Sequence, residues 1–325
     1  MGAIQQRSAS RPSRRMMFMA AFLGMIAVAF AWSMPAFGAP PQMLFPSPED
    51  AVNSLIKAIQ AKDKATLNLI FGPSGTELRS GDEVQDNSEL DELSRHLSEK
   101  TGLVKENERK LILHVGKEDW PFPIPIVKID DQWFFDTEAG REEILNRRIG
   151  ENELTAILVC KSYVHAQREY VLKDWDGDGV MTYAQKLRSD PGKRNGLYWR
   201  AAKGEAVSPL GELVAKARME GYRKSKAAFK EEKPEPFHGY YFKILTRQGS
   251  SAPGGKYSYV INGNMVGGFA LVAFPSHWGK SGIMAFIVNQ QGKIYQKNLG
   301  PNTLKIAREM QSFRPNETWT AVKED

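Results

Sequence analysis

Residues 152–185 read NELTAILVCKSYVHAQREYVLKDWDGDGVMTYAQ, and the rest of the chain is organised around this stretch. In its first part, apolar residues recur at three-, four- and seven-residue steps, which places one apolar stripe along a helix. Such a stripe is typical of a helix that is half buried in a domain core. The stripe consists of Leu154, Ile157, Cys160, Val164 and Val171.

Cys160 is the only cysteine of the chain. Because it lies on the apolar stripe and has no partner for an intramolecular disulfide, we expect a buried and inert thiol. A disulfide-linked dimer is the alternative.

An acidic, glycine-rich loop follows the helix and matches the first part of a calcium loop of the EF-hand type. Gly179 at position six permits the sharp turn, and Met181 at position eight is expected to pack inward. Because Gln185 replaces the bidentate glutamate of position twelve, we expect weak Ca²⁺ binding. The alternative is a tight Asp-Gly turn that ends the helix. The candidate ligands are Asp174, Asp176, Asp178, the Val180 carbonyl, Thr182 and Gln185.

The first 38 residues have the pattern of a secretory signal peptide. Four arginines without an acidic residue precede an apolar run from Met16 to Trp32, and the small residues Ala36 and Gly38 mark a cleavage site. A retained membrane anchor is the alternative, since about seventeen apolar residues are at the lower limit for a span. Export through the general or the twin-arginine route stays open. The protein is therefore expected to be periplasmic or secreted.

Removal of this segment lowers the formal net charge from +6 to about +2. The remaining lysines and arginines do not alternate with aromatic residues in a run that would stack bases. The sequence therefore excludes nucleic acid as an expected partner. An envelope protein or a small ligand is expected instead, and a membrane only if the signal segment is retained.

The mature chain divides into a Pro-rich leader (39–47), a first domain (48–150), a second domain (151–313) and a tail (314–325). In the first domain, helices are predicted from Pro48, over Asp63–Phe71 and over Asn87–Lys100. Strands rich in β-branched and aromatic residues follow, so the fold class is α+β with a curved antiparallel sheet. These strands are predicted at Leu111–Val115, Ile124–Ile129 and Trp133–Asp136.

The second domain combines the central helix with a C-terminal antiparallel meander, because turn residues separate successive strands. A charged helix is predicted from Glu212, and a last helix capped by Thr303 closes the domain. The strands are predicted at Tyr240–Thr246, Lys256–Ile261, Gly267–Phe274, Ile283–Val288 and Lys293–Leu299.

Two local sequences in the first domain, Ala61–Lys64 and Asp131–Asp136, occur in an order of helices and strands that resembles the nuclear-transport-factor-2-like cone. The resemblance implies a sheet wrapped around a hollow that holds a small molecule. The catalytic residues of that fold have no match here, since His114 stands alone.

Four short segments combine in a specific way: 176–180 (DGDGV) with 183–185 (YAQ), 191–193 (PGK) with 196–199 (GLYW), 237–242 (FHGYYF) and 267–273 (GGFALVA). With them the chain resembles a family of exported bacterial proteins catalogued as a domain of unknown function (2950), which implies no assigned activity. The order of long helix, loop and antiparallel sheet is also similar to the head domains of pseudopilins.

The preferred hypothesis is an envelope protein without catalytic activity that binds a ligand or a partner and is stabilised by calcium. No paired zinc histidines, Cys-x-x-Cys or nucleophile elbow is present. The alternatives are a periplasmic hydrolase with His277 and Ser281 at the domain junction, or a pilin-like assembly component.

We expect the mature protein to begin at Ala39 and to be recovered in the soluble periplasmic or secreted fraction, because Ala36 and Gly38 fit the cleavage site. N-terminal sequencing of the fractionated protein measures this. An intact Met1 or Gly2 on membrane-bound protein would contradict it.

Overall fold

The computed structural model describes residues 42–175, 177–219, 222 and 235–323. The signal peptide predicted for residues 1–38 lies outside these ranges. Within them, no helix is both long and apolar enough to cross a membrane. The fold is α+β, as predicted, with a long helix followed by a C-terminal antiparallel sheet.

Three helices begin the N-terminal half, and each starts where a side chain caps it. They are α1 (Pro48–Gln60), α2 (Lys64–Phe71) and α3 (Glu83–Glu99), with a short 3-10 helix at Pro73–Leu78. The side chains of Ser47, Asp63 and Asp82 accept hydrogen bonds from the first backbone amides of α1, α2 and α3. The first two predicted helices are confirmed. α3 begins earlier than the predicted Asn87, because Asp82 caps it.

An antiparallel sheet follows α3. Its strands are β1 (Thr101–Asn107), β2 (Lys110–Val115), β3 (Trp120–Pro121), β4 (Ile126–Ile129) and β5 (Gln132–Phe135). The order is β1-β2-β4-β5, and β3 also pairs with β2. The three predicted strands are confirmed as β2, β4 and β5. β1 was not predicted because its residues are mostly exposed and polar, and β3 is too short to show a pattern.

α4 spans Thr137–Tyr170 and, with 34 residues, is the longest helix in the described part of the chain. It begins well before Asn152 and crosses the boundary that the sequence placed between residues 150 and 151. The two predicted domains, 48–150 and 151–313, therefore share this helix. The division itself remains a prediction.

The buried face of α4 differs from the predicted stripe at its first position. Cys160 and Val164 are buried as expected, and burial raises the pKa of the Cys160 thiol to about 12, which keeps it protonated at neutral pH. Leu154, by contrast, is 69% exposed. It lies about 120° around the helix from Cys160, away from the side on which Ala156 and Gln167 are buried. The inclusion of Leu154 in the stripe was therefore wrong.

The main C-terminal sheet is antiparallel, as predicted, and contains four of the five predicted strands together with one short strand that was not predicted. In spatial order its strands are β6 (Tyr240–Leu245), β11 (Ala270–Pro275), β12 (Met284–Asn289), β13 (Tyr295–Asn298) and β15 (Thr320–Ala321). Two helices accompany it, α5 (Gly211–Met219) and α6 (Thr303–Glu309). The predicted strand Lys256–Ile261 is divided between two short strands outside this sheet. The short strands are β7 (Arg247–Gln248), β8 (Tyr257–Ser258), β9 (Val260–Ile261), β10 (Asn264–Met265) and β14 (Ser312–Phe313).

Two apolar clusters form the core, and α4 contacts both. The N-terminal cluster combines α1, α2 and the first sheet, and Ile144 of α4 packs against it. The C-terminal cluster combines the meander with Cys160, Tyr163 and Val164 of α4. α4 therefore connects the two halves of the molecule.

Buried polar groups fix α4 between the two halves. Gln85 Nε2 donates to Asn152 Oδ1 at 2.9 Å, and Asn152 Nδ2 donates to the backbone oxygen of Ser281 at 3.0 Å. Glu153 accepts hydrogen bonds from two backbone amides at the start of β12, at 2.9 and 3.0 Å. Asn152 is 1% exposed, so water cannot replace these partners.

Replacing Asn152 by alanine should lower the free energy of unfolding by about 1–3 kcal/mol, because the amide of Gln85 and the carbonyl of Ser281 lose buried partners. Denaturant unfolding of the purified protein measures the change. Asn146→Ala is the matched control, since Asn146 is exposed on the same helix. It should change stability by less than about 0.5 kcal/mol. Equal effects of the two substitutions would overturn the role given to Asn152.

Candidate functional site

A cleft with a volume of about 1030 Å³ opens in the N-terminal half. It lies between α2, the 3-10 helix, α3, the β2–β3 edge and the first half of α4. This volume is at the upper end of the range for small-molecule sites. Much of the wall is apolar, including Leu67, Phe71, Leu90, Leu93, Phe122 and Ile144.

One face of α4 forms part of the cleft wall. Ile144, Arg147, Arg148 and Glu151 follow the i, i+3, i+4, i+7 spacing that places residues on one side of a helix. None of these four residues was predicted from the sequence. Their helical spacing was the available signal, but charged residues at that spacing are typical of a solvated helix surface. The approach of α3 and β3 to this face is not encoded in any local pattern.

Arg148 is the only charged residue of the cleft wall that is buried among the described residues, with a side chain 5% exposed. Its Nε and Nη2 donate to the two carboxylate oxygens of Glu89 at 3.3 and 2.8 Å. Its Nη1 is shielded from water and has no hydrogen-bond partner in the described ranges. A buried donor without an acceptor costs free energy, so an acceptor supplied by a ligand would stabilise this nitrogen.

Arg147 lies beside Arg148 at the mouth of the cleft. Its Cζ is 4.8 Å from the ring centroid of Trp120, in a cation–π contact, and its Nε donates to Glu143 at 2.7 Å. Its Nη1 is also buried and unpartnered within the residues that the structure covers. The cleft wall therefore contains two arginines, each with a buried nitrogen that lacks an acceptor, next to an aromatic ring that is 39% exposed.

Acidic groups on the cleft wall affect one another. Burial raises the pKa of Glu151, and the carboxylates of Glu89 and Glu92 raise it further, whereas Arg148 opposes the rise. Partial burial and like-charge repulsion therefore both disfavour the ionised form of Glu151. Titratable groups with perturbed pKa values in a cleft are typical of functional sites.

The predicted calcium loop forms a hydrogen-bonded turn after α4. Asp174 Oδ1 and Oδ2 accept from the backbone amides of Gly177 and Gly179 at 2.8 and 2.9 Å. Asp178 Oδ1 accepts from the amide of Val180 at 2.8 Å. Carboxylates that accept amide hydrogen bonds within the loop fit both a metal loop and a plain Asp-Gly turn.

The other predicted ligands are less informative. Gln185 Nε2 donates to the backbone oxygen of Gly263 at 2.7 Å, and Thr182 is half-buried. Asp176 lies outside the described residues, and among those described no three His, Cys, Asp or Glu side chains form a group that could hold a metal ion. Met181 is 58% exposed, so the prediction that it packs inward was wrong. Calcium binding remains a prediction.

The residues of the hydrolase hypothesis lie close together in the loop after β11. Ser281 is fully buried, and its Oγ accepts from the backbone amide of His277 at 3.0 Å. The exposed His277 places Nδ1 3.2 Å from Ser276 Oγ. A hydrolase of this kind needs a carboxylate that hydrogen-bonds to His277, and none does so in the described ranges. Asp82 does not fill this role, because both of its carboxylate oxygens accept from other donors. The geometry therefore gives the hydrolase hypothesis no support.

Residues 42–322 match the family described as "Protein of unknown function (DUF2950)". The chain belongs to this family. The family resemblance carried by the four segments is thereby confirmed, and the family description assigns no activity. Neither the curated proteins nor the solved structures contain a match to the chain. The resemblances to the nuclear-transport-factor-2-like cone and to pseudopilin head domains remain predictions.

We expect millimolar calcium to raise the melting temperature slightly, because a Kd of about 10⁻⁴ to 10⁻³ M gives about 0.4 to 1.4 kcal/mol of stabilisation. Asp176→Ala should abolish the rise. Gln185→Glu should enlarge it while lowering stability in chelator, because a carboxylate cannot donate to Gly263. Identical melting in calcium and in chelator, with no metal in the purified protein, would leave the loop as a simple turn.

Proposed function

We propose that this chain is an exported, non-catalytic binding protein that holds a small, largely apolar molecule in the cleft of its N-terminal half. The cleft itself carries the proposal: it combines a large volume with apolar wall residues, which lie among numerous charged and polar side chains. Export is proposed from the signal-peptide pattern of residues 1–38.

Two aromatic side chains of the cleft lining pack against the hydrophobic core, which supports a preformed site. The rings of Phe71 and Phe122 line the cleft, and both contact the fully buried Phe135, with centroid distances of 5.7 and 6.3 Å. Side chains fixed by core packing lose little conformational entropy when a ligand binds. The apolar area that a ligand covers then contributes more fully to affinity.

Binding is favoured over catalysis by the way the charged groups of the cleft are occupied. Glu89 pairs with Arg148, and Glu99 pairs with Arg95 at 2.7 Å. Side chains held in ion pairs position a ligand more readily than they transfer protons. The calcium loop is assigned a stabilising role, since none of its described residues lines the cleft.

The wild-type protein should bind the neutral apolar probe N-phenyl-1-naphthylamine saturably, because the apolar wall removes the probe from water. Probe fluorescence during titration measures the Kd. Leu90→Trp adds bulk to the wall and should weaken binding by about tenfold or more, which corresponds to 1.4 kcal/mol.

Leu154→Trp is the matched control, since Leu154 is exposed on α4 outside the cleft lining. It should bind the probe as the wild type does. Absence of saturable binding to the folded wild type, or equal binding by Leu90→Trp, would refute the cleft as a ligand site. Circular dichroism of each variant verifies the fold.

A further inference from the structure

Two arginines of the cleft wall have nitrogen atoms without an acceptor, and a purely apolar ligand would leave these atoms unpaired. Arg148 sits in the wall with a side chain 5% exposed, and Glu89 occupies only its Nε and Nη2. Its Nη1 is left without an acceptor in the described part of the chain. A positive charge that is buried and incompletely hydrogen-bonded is costly, and an anionic acceptor compensates both deficits.

Arg147 repeats the arrangement one residue earlier. Its Nε is committed to Glu143 and its guanidinium lies over Trp120, while Nη1 has no acceptor among the described residues. Two neighbouring guanidinium groups, each with at least one nitrogen that has no acceptor among the described residues, match the two or three oxygens of a carboxylate or phosphate.

We infer that the cleft binds an amphipathic anion, with its carboxylate or phosphate head accepting hydrogen bonds from Arg147 and Arg148 and its apolar body covering the wall around Phe71, Leu90 and Phe122. This inference rests on the proposed function of the cleft. The arginines set the class of ligand, and the apolar wall sets most of its affinity.

The acidic residues of the wall do not oppose an anion equally. Glu89 pairs with Arg148, Glu99 with Arg95 and Glu83 with Lys64, and Glu92 lies 3.8 Å from Arg95. Asp86 and Glu118 of the wall are in no ion pair in the ranges that the structure describes. Glu151 is not in an ion pair within the described residues, and it lies one helical turn after Arg147 and Arg148 on the same face of α4. Glu151 therefore weakens the binding of an anionic head.

Four eight-carbon probes that differ only in the head group test the inference: octanoate, octyl phosphate, octanol and octylammonium. Calorimetric titration of the full mature protein at pH 7.5, below the micellar range, gives each Kd. Octanoate or octyl phosphate should bind about tenfold or more tightly than octanol, as charge-assisted hydrogen bonds allow. The better of the two anions identifies the head as carboxylate or phosphate.

Substitutions test the assignment of residues. Arg147→Met should reduce the preference for the anion over octanol by about tenfold. Arg148→Met is combined with Glu89→Gln, so that Glu89 is not left without its ion-pair partner, and should reduce the preference at least as much. Glu151→Gln should tighten anion binding by about threefold or more, because it removes a like charge.

Arg200→Met is the matched control, because Arg200 is exposed outside the cleft lining, and it should retain the wild-type preference. Equal Kd values for anion and octanol, or a preference for octylammonium, would overturn the inference while leaving the cleft a binding site. Loss of all binding, including that of N-phenyl-1-naphthylamine, would instead refute the proposed function. Since Glu151→Gln is expected to strengthen binding, misfolding cannot imitate its effect.

Discussion

The burial of α4 against two apolar clusters is the constraint on which the other features depend. At 1.5 Å per residue, its 34 residues span about 50 Å. Isolated helices gain little stability from propensity alone, so tertiary packing must hold both ends. Ile144 supplies the contact on one side, and Cys160 and Tyr163 supply it on the other. A domain boundary between residues 150 and 151 would divide the helix whose residues pack in both clusters.

Two buried polar groups on α4, one turn apart, illustrate different physical roles. Asn152 has its hydrogen-bonding groups paired with Gln85 and Ser281, as a structural junction requires. Arg148 is equally shielded from water but only partly paired. A half-satisfied buried charge is less stable than an apolar side chain of similar volume. Stability explains the first residue, whereas the second fits the anion site proposed for the cleft.

The sequence predicted correctly those structural features that a short segment determines by itself. α1 and α2 begin where the sequence predicted, capped by Ser47 and Asp63, and turn residues separate the strands of the main C-terminal sheet. Where tertiary packing decides, prediction was wrong or absent. Leu154 fits a helical stripe by spacing yet faces solvent, because the meander packs against another side of α4. β1 carries no apolar alternation, since it is held by pairing with β2.

The same distinction explains why the sequence proposed the calcium loop and missed the cleft. The loop is one continuous segment, so its oxygen atoms can be counted from the letters alone. The cleft is built from residues between Lys64 and Glu151 that six elements bring together, and no spacing along the chain reveals it. Even in the loop, one contact depended on the fold. The side-chain amide of Gln185 donates to the backbone oxygen of Gly263 in the β9–β10 turn, and the ionised carboxylate of a glutamate could not make this hydrogen bond. Compared with calcium loops, Gln185 is only a missing ligand, but in the fold its amide makes a contact of its own.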